Sequence, residues 1–320
     1  MDRPEYFFDG RITIEDREFL EKYLSGFEYR TSGSSFSAMY MWKEDNNFSW
    51  KMIGDYLCMA GMSHLELEQG IFEPFLFPPF TCTGTYDPAK LRETIYEAKD
   101  FFESKGEPFS IRLLPKHMIP VIEEACPGEM IFEDDRPNHD YVYLKQDLID
   151  FKGRKYHQKK NHLNYFKKNY EYEYIPVTSD MKDEVMTFID EFNRRKDIPE
   201  HEMEMLLMEM DAMEDVFSNI EKVGYIAGAI TIGGKIEAVS VGGRLGSETV
   251  TCHIEKANVE YRGLYPAITS EFCKHLPEDI KFINREEDMG LENLRISKQS
   301  LKPVMMMEKY IARFKQPAAR

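Results

Sequence analysis

Residues 222–269 read KVGYIAGAITIGGKIEAVSVGGRLGSETVTCHIEKANVEYRGLYPAIT, and this stretch carries the strongest fold signal in the chain. Its apolar runs are separated by Gly233-Gly234 and by Gly246-Ser247, which are residues that favour tight hairpin turns. The pattern predicts three consecutive antiparallel strands. The third strand then enters a polar turn that contains Arg262-Gly263. A helix is predicted to begin at Leu264-Tyr265-Pro266, because proline is favoured in the first helical turn.

The sequence on either side of this stretch alternates helical and strand patterns. A chain of 320 residues is longer than one ordinary domain, so two units of about 150 residues each are expected. The turn-rich segment DDRPNHD, residues 134–140, offers a boundary. We predict an N-terminal domain over residues 1–138 and a C-terminal domain, carrying the active site, over residues 139–320. Helices and antiparallel strands in both halves indicate an α+β fold.

The composition argues against several classes of protein. The net charge is −16 at pH 7, and non-specific binding of duplex DNA needs a basic face instead. No apolar run approaches the ~18 residues that a membrane span needs, and the first ten residues do not resemble a signal peptide. The five cysteines include no CxxC pair, which predicts reduced thiols, a cytoplasmic location and no metal site.

One segment departs from this acidic character, and we call residues 151–170 the basic segment. It holds seven lysines and arginines and no acid, which leaves a charge of −23 for the rest of the chain. Such a segment is typical of a site for phosphate groups, although a solvated helix face is the alternative. We predict that residues of this segment and of the later glycine turn bind the phosphate groups of a donor substrate: Arg154, Lys155, Lys159, Lys160, His162, Arg262 and Gly263.

Charged side chains near the predicted strand ends are the candidates for catalysis. Glu255 or Glu287 could accept a proton from an amine nucleophile, and His253 could orient one of them. Each of these acids could equally be structural. Four further residues, near the end of a later strand and on the helix after it, are predicted to bind the substrate: Asn284, Arg285, Arg295 and Lys298.

Four stretches together resemble the catalytic domain of lysylphosphatidylglycerol synthases, and more closely its soluble bacterial relatives. They are GRKYHQKKNHLNYFKK (153–168), HIEKA (253–257), YRG (261–263) and INREEDMGLENLRISKQSLKP (283–303). The resemblance implies two fused acyltransferase domains of the GNAT type, as in the Fem peptidoglycan aminoacyltransferases. It also implies transfer of an aminoacyl group from a charged tRNA to a lipid headgroup, a peptide or a small amine.

The turn EYRGLY, residues 260–265, bears on the donor. In ordinary acetyltransferases of this fold the turn Q/R-x-x-G-x-G/A holds the pyrophosphate of acetyl-CoA, and only Gly263 matches it here. The resemblance therefore favours the acceptor end of tRNA as donor, with no tightly bound cofactor. No G-x-S-x-G elbow is present, which indicates direct attack by the acceptor. An acyl-CoA-dependent N-acyltransferase and a non-catalytic, degenerate GNAT binding module are the alternatives.

Overall fold

The computed structural model describes residues 6–66, 71–195 and 203–316. In the first half, the strands are β1 (Gly10–Arg11), β2 (Ser49–Ile53), β3 (Tyr56–Glu66), β4 (Ile71–Leu76), β5 (Ile111–Pro115) and β6 (Met130–Asp134). The helices are α1 (Arg17–Leu24), α2 (Phe36–Met41), α3 (Pro88–Ser104) and α4 (Ile119–Ala125). The start of α3 is set by its sequence: the Asp87 carboxylate accepts hydrogen bonds from the first-turn amides, and Pro88 takes the first position.

In the second half, the strands are β7 (Asp140–Leu144), β8 (Glu173–Pro176), β9 (Ile226–Ile232), β10 (Lys235–Leu245), β11 (Thr249–Ala257), β12 (Phe282–Asn284), β13 (Met305–Met307) and β14 (Lys309–Phe314). The helices are α5 (Lys145–Asp150), α6 (His157–Asn169), α7 (Lys182–Arg194), α8 (Met203–Ser218), α9 (Ile220–Val223), α10 (Leu264–His275) and α11 (Glu292–Ser300). The predicted three-strand run is β9-β10-β11, with turns at both predicted positions and α10 beginning at Leu264.

The strands form two sheets with the same layout. The first has the order β1-β2-β3-β4-β5-β14-β6, and the second has the order β8-β9-β10-β11-β12-β7-β13. Each sheet contains an antiparallel run of four strands, β1 to β4 in the first and β8 to β11 in the second. A parallel neighbour follows, β5 beside β4 and β12 beside β11. An antiparallel strand lies next to that neighbour, β14 in the first sheet and β7 in the second.

The described residues divide into two compact units, one within Met1–His139 and Met307–Arg320 and the other within Asp140–Met306. The predicted boundary lies one residue from this division, but the chain end differs from the prediction. Strand β14 belongs to the first sheet, where it pairs with β5 and β6 and Ala312 is fully buried. Strand β7 follows β6 in the chain and lies in the second sheet. Counted as two runs of seven strands, β1–β7 and β8–β14, each run therefore contributes its last strand to the sheet that the other run forms.

The second unit has helices on both faces of its sheet. Cys252 and Ala257 of β11 join a core formed with residues of α5, α6 and α10, among them Phe151, Phe166 and Phe272. Lys256, between them in the chain, contacts Phe192 of α7 and pairs with Glu209 of α8 instead. Because neighbouring side chains of a strand point to opposite faces, α10 and α7 cover opposite sides of β11.

Candidate active site

The parallel strands β11 and β12 separate within the second sheet. They pair at Thr249–Phe282, Val250–Ile283 and Thr251–Asn284, where β12 ends. Strand β11 continues to Ala257 and remains paired with β10 alone along this last part. We call the space beyond Thr251 and Asn284 the strand opening. Charged side chains from β11, from the segment after β12 and from α6 meet there.

A β-bulge at His253 determines which residues of β11 face α10. Val241 pairs with Ile254 and Gly242 pairs with Cys252, so His253 is the extra residue. The bulge lets Cys252 and Ala257 share one face although five positions separate them. Glu255 lies on that face too, where the Thr269 hydroxyl of α10 donates to its carboxylate at 2.9 Å. The bulge leaves His253 outside the regular alternation of β11.

Glu255 forms a bidentate ion pair with Arg285 in the strand opening. The Arg285 Nη2 and Nη1 atoms donate to Oε1 and Oε2 at 2.8 and 3.3 Å, and both side chains are largely buried, at 16% and 7% exposure. Burial lowers the pKa of Arg285, but the charge of Glu255 outweighs it and the pKa is raised. With three hydrogen bonds to its carboxylate, Glu255 is better suited to holding Arg285 than to accepting a proton.

Lys159 of α6 is the neighbouring cation. Burial lowers the pKa of its amine, the charge of Arg285 lowers it further, and Glu255 offsets part of the change. The side chain is half-buried. Among residues 6–66, 71–195 and 203–316, no hydrogen-bond or ion-pair partner of its Nζ is found. The strand opening therefore contains an enclosed positive charge that no carboxylate of the described chain neutralises directly.

His253 is paired with a residue that the sequence did not single out. Its Nδ1 lies 2.8 Å from Oε1 of Glu286, and its side chain is fully buried. Glu286 has a φ of 59°, an uncommon conformation for a residue with a side chain. Its amide donates to the Asn284 side chain, which fixes this turn. The predicted partners of His253 were Glu255 and Glu287. Glu287 is half-buried, and its charge acts on Lys298.

The glycine turn packs against the basic segment. Gly263 caps α10 with a φ of 92°, and a Cβ built on it would lie 2.1 Å from the His162 carbonyl oxygen of α6. Only glycine fits this approach. The Arg262 guanidinium lies over the Tyr165 ring of α6, 4.6 Å from its centre. The predicted proximity of the turn and the basic segment is thus present, through backbone contact as well as charge.

Two polar residues that the sequence analysis missed fix the start of this turn. The Asn258 amide donates to the buried Glu237 carboxylate of β10 at 2.7 Å, and the Asn258 side-chain oxygen accepts the backbone amide of Glu260 at 3.1 Å. Glu237 is itself the extra residue of a second bulge. An asparagine directly after a strand is a turn signal that could have been used.

The other predicted donor-binding residues divide into two groups. Lys155 pairs with Asp147 at 2.8 Å, and Lys160 donates to the Asp150 carbonyl at 2.7 Å, so both link the basic segment to α5. We assign these two to the framework of the site. Arg154 is exposed just before α6, and the His162 side chain is half-buried.

The predicted substrate-binding residues mostly hold the segment after β12. Asn284 is fully buried and donates to Asp140 at 2.9 Å. Arg295 binds the buried Asp288 carboxylate at 3.0 and 3.2 Å. Lys298 donates to the Arg285 carbonyl, and burial together with the Arg285 charge lowers its pKa. We assign Asn284 and Arg295 to the framework and keep Arg285 and Lys298 beside the strand opening.

The described ranges contain no group of three or more His, Cys, Asp or Glu side chains that could hold a metal ion. Likewise, none of the helices described here is long and apolar enough to cross a membrane.

Comparison with known protein families decides which class of protein this chain belongs to. Residues 25–313 match the family described as phosphatidylglycerol lysyltransferase, C-terminal. The chain belongs to this family. As a phosphatidylglycerol lysyltransferase C-terminal family member it is an acyltransferase, of the aminoacyl-transferring kind in general. No protein of curated function matches its sequence.

Solved structures agree with this family and with the fold. A conserved protein of unknown function from Bacteroides thetaiotaomicron is 29% identical, with a TM-score of 0.81 over 95% of this chain and 98% of that one. L-PGS from Bacillus licheniformis is 13% identical, with a TM-score of 0.61 over 95% and 93% of the two chains. A tandem GNAT protein from the clavulanic acid biosynthesis pathway is 9% identical, with a TM-score of 0.51 over 96% and 98%.

These similarities confirm the predicted fold of two fused GNAT-like units. The predicted relation to Fem-type proteins is confirmed at the level of the fold.

Proposed function

We propose that this family member transfers an aminoacyl group from charged tRNA to an amine or hydroxyl acceptor by direct attack in the strand opening. The observation that carries the proposal is Lys159, a half-buried cation without a direct partner beside the buried Glu255–Arg285 pair. A fixed positive charge in a partly enclosed site stabilises the oxyanion that forms when an ester carbonyl is attacked.

The carrier of the acyl group would lie along the basic segment and the glycine turn. Arg262 is exposed on the turn and stacks on Tyr165, and Arg154 is exposed at the start of the segment. The beginning of α10, capped by Gly263, adds the partial positive charge of a helix N-terminus. In a chain of net charge −16, this local excess of cations would direct an anionic carrier to one place.

The proton of the acceptor needs a base near the carbonyl. Glu255 is engaged by Arg285 and Thr269, and His253 is fully buried. Glu286 is 19% exposed and bonded to His253, so it is the member of that pair best placed to meet an acceptor. In this scheme Glu286 takes the proton, His253 orients its carboxylate, and the leaving oxygen of the donor is then protonated.

The test is transfer of radiolabelled amino acids from a mixture of charged tRNAs. Acceptors are offered in parallel as phosphatidylglycerol vesicles, peptides and small amines. Labelled product is expected in one of these arms. The variant Lys159→Gln should lower turnover strongly, whereas Lys22→Gln, which removes an exposed lysine of α1 outside the basic segment, should not.

Other outcomes would select the alternatives. Turnover with acyl-CoA esters and none with charged tRNA would identify the acyl-CoA-dependent N-acyltransferase, for which the Gly263 turn at the head of α10 is the supporting feature. Binding of donor without turnover in any arm would indicate a non-catalytic module.

A further inference from the structure

Lys159 occupies the inner face of α6. Tyr156 lies three residues before it and Leu163 four residues after it, and both are fully buried in the core of the second unit. Positions three and four apart share one face of a helix, so the Lys159 stem leaves the helix toward that core. In the next turn of α6, the His162 carbonyl touches the glycine turn. Lys159 and the residue that contacts the glycine turn therefore lie in successive turns of α6.

Two neighbouring lysines of the basic segment differ from Lys159. The amine of Lys155 is bonded to Asp147, which raises its pKa, and the amine of Lys160 donates to a backbone carbonyl. A carboxylate or carbonyl partner favours the ammonium form of a lysine, and an ammonium has no lone pair with which to attack an ester. Lys159 has no such partner among the described residues, and burial together with Arg285 lowers the pKa of its amine. Burial and the Arg285 charge thus favour its neutral, nucleophilic form.

We propose that Lys159 is a self-acylation site, which takes the acyl group of an activated ester in the strand opening when no acceptor is present. The inference rests on the proposed function, which places the ester there. The Lys159 Nζ lone pair would attack the carbonyl carbon and form an amide C–N bond. The C–O bond of the ester, or the C–S bond of a thioester, breaks, and the leaving oxygen or sulfur takes the proton that Nζ loses.

Acylation would remove the cation that the proposed mechanism uses. An amide is neutral and does not return its acyl group under mild conditions, so each event would inactivate one molecule. We therefore expect activity to fall when the protein is incubated with donor before the acceptor is added.

The experiment maps acylated lysines by mass spectrometry of the full chain. The protein is treated in separate arms with charged tRNA, with acetyl-CoA, and with a limiting amount of p-nitrophenyl acetate, which needs no recognition of a carrier. The variants Lys159→Arg and Lys168→Arg are treated in the same way, and thermal unfolding checks that both are folded. We expect the label on Lys159 in the wild type, its loss in Lys159→Arg, and no change in Lys168→Arg.

The arms separate the two proposals. Label on Lys159 from p-nitrophenyl acetate alone would support the reactive lysine and count against the proposed donors. Turnover of acceptor by charged tRNA with Lys159 unmodified in every arm would overturn the self-acylation site and leave the proposed function standing. Label spread over exposed lysines such as Lys152 and Lys168, with Lys159 unlabelled, would also overturn it.

Discussion

Arg112 and Arg285 hold the same position in the two units. Each directly follows the last residue of a parallel pair, which is Leu76–Ile111 in the first sheet and Thr251–Asn284 in the second. Each is also followed by a residue with positive φ, 54° for Leu113 and 59° for Glu286. A shared backbone conformation at one position of the sheet shows a structural repeat that the sequence of either half does not display.

The carboxylate partner is where the two units differ. Glu255 lies four residues beyond Thr251, and the residue four beyond Leu76 is Phe80, a fully buried ring. The first unit therefore has an arginine at this position without the facing glutamate, and Arg112 lies 4.0 Å from Asp135 instead. The buried ion pair beside an unpaired lysine is accordingly a feature of the second unit among the residues described.

Gly263→Ala should destabilise the protein more than Gly153→Ala. Both glycines have strongly positive φ, 92° and 99°, but a Cβ at Gly153 meets nothing within 4 Å while one at Gly263 meets the His162 carbonyl at 2.1 Å. The control substitution should cost about 1 kcal/mol for the backbone alone, and the clash should add about 1–3 kcal/mol. Urea unfolding measures both, and equal losses would contradict the close approach.

Breaking the buried Glu255–Arg285 ion pair should strongly lower the free energy of unfolding. Glu255→Gln leaves Arg285 buried without its counter-charge, and we expect a loss of about 3–5 kcal/mol in the free energy of unfolding. The exposed pair Arg244–Asp279 supplies the comparison, since Asp279→Asn should cost at most about 1 kcal/mol. The double variant Glu255→Gln/Arg285→Gln should lose less than the sum of its single variants in a denaturant titration. Additive losses would show that the pair is not coupled.

Lys159→Met should stabilise the protein at neutral pH, and the gain should shrink as the pH rises. The pKa of Lys159 is lowered on folding from its ordinary value of 10.5, because burial and Arg285 disfavour the cation. The unfolded chain therefore binds more protons than the folded one between the two pKa values, and wild-type stability rises with pH in that window. Differences in unfolding free energy between variant and wild type across pH 7 to 10.5 test this. A difference that does not vary with pH would refute it.

Arg262→Gln should weaken binding of charged tRNA. Removing one phosphate-contacting cation reduces the dependence of log Kd on log salt concentration by about one. The matched control is Lys155→Gln/Asp147→Asn, which removes a paired cation together with its acid and keeps the net charge constant. Filter binding at several salt concentrations should show a smaller slope for Arg262→Gln and an unchanged slope for the control. Identical slopes for both would remove Arg262 from the donor site.

A chain that ends at Met307 should lose the folded first sheet. It lacks β14, which provides the antiparallel neighbour of both β5 and β6. Hydrogen exchange should then show lost protection at Ile111–Pro115 and Met130–Asp134, with protection kept at Thr249–Ala257. A chain that ends at Gln316 is the control, because it keeps β14. Full protection of β5 in the shorter chain would contradict the observed pairing.

The strand and turn pattern of residues 222–269 was sufficient to predict the three-strand run and the start of α10, because hairpin turns and apolar alternation are local signals. The bulge at His253 was not predictable in this way. The one extra residue changes the side of the sheet on which the neighbouring side chains of β11 lie. Glu255 therefore faces Arg285, and His253 pairs with Glu286. The sequence pattern offered His253, Glu255 and Arg285 as candidates but not Glu286, and it could not supply their pairs.

The basic segment likewise has features that the sequence predicted and features that it did not. Its charge predicted a cation-rich helix next to the glycine turn, which the structure contains. The partners of Lys155 and Lys160 lie in α5, a few residues before the segment. A count of charges within the segment alone therefore does not reveal these pairs. The place of β14 depends on which sheet has an unfilled position, and an apolar strand pattern carries no such information.

Strands β7 and β14 have a consequence for the origin of the chain. If residues 6–144 and 173–314 are regarded as two copies of one seven-strand element, the final strand of each copy completes the sheet of the other. Two identical subunits that exchange their terminal strands form a homodimer of this kind. Joining such subunits end to end gives the present topology without moving any strand. The architecture is therefore the one that end-to-end fusion of two strand-exchanged subunits would produce, with a glutamate facing the arginine in the second copy.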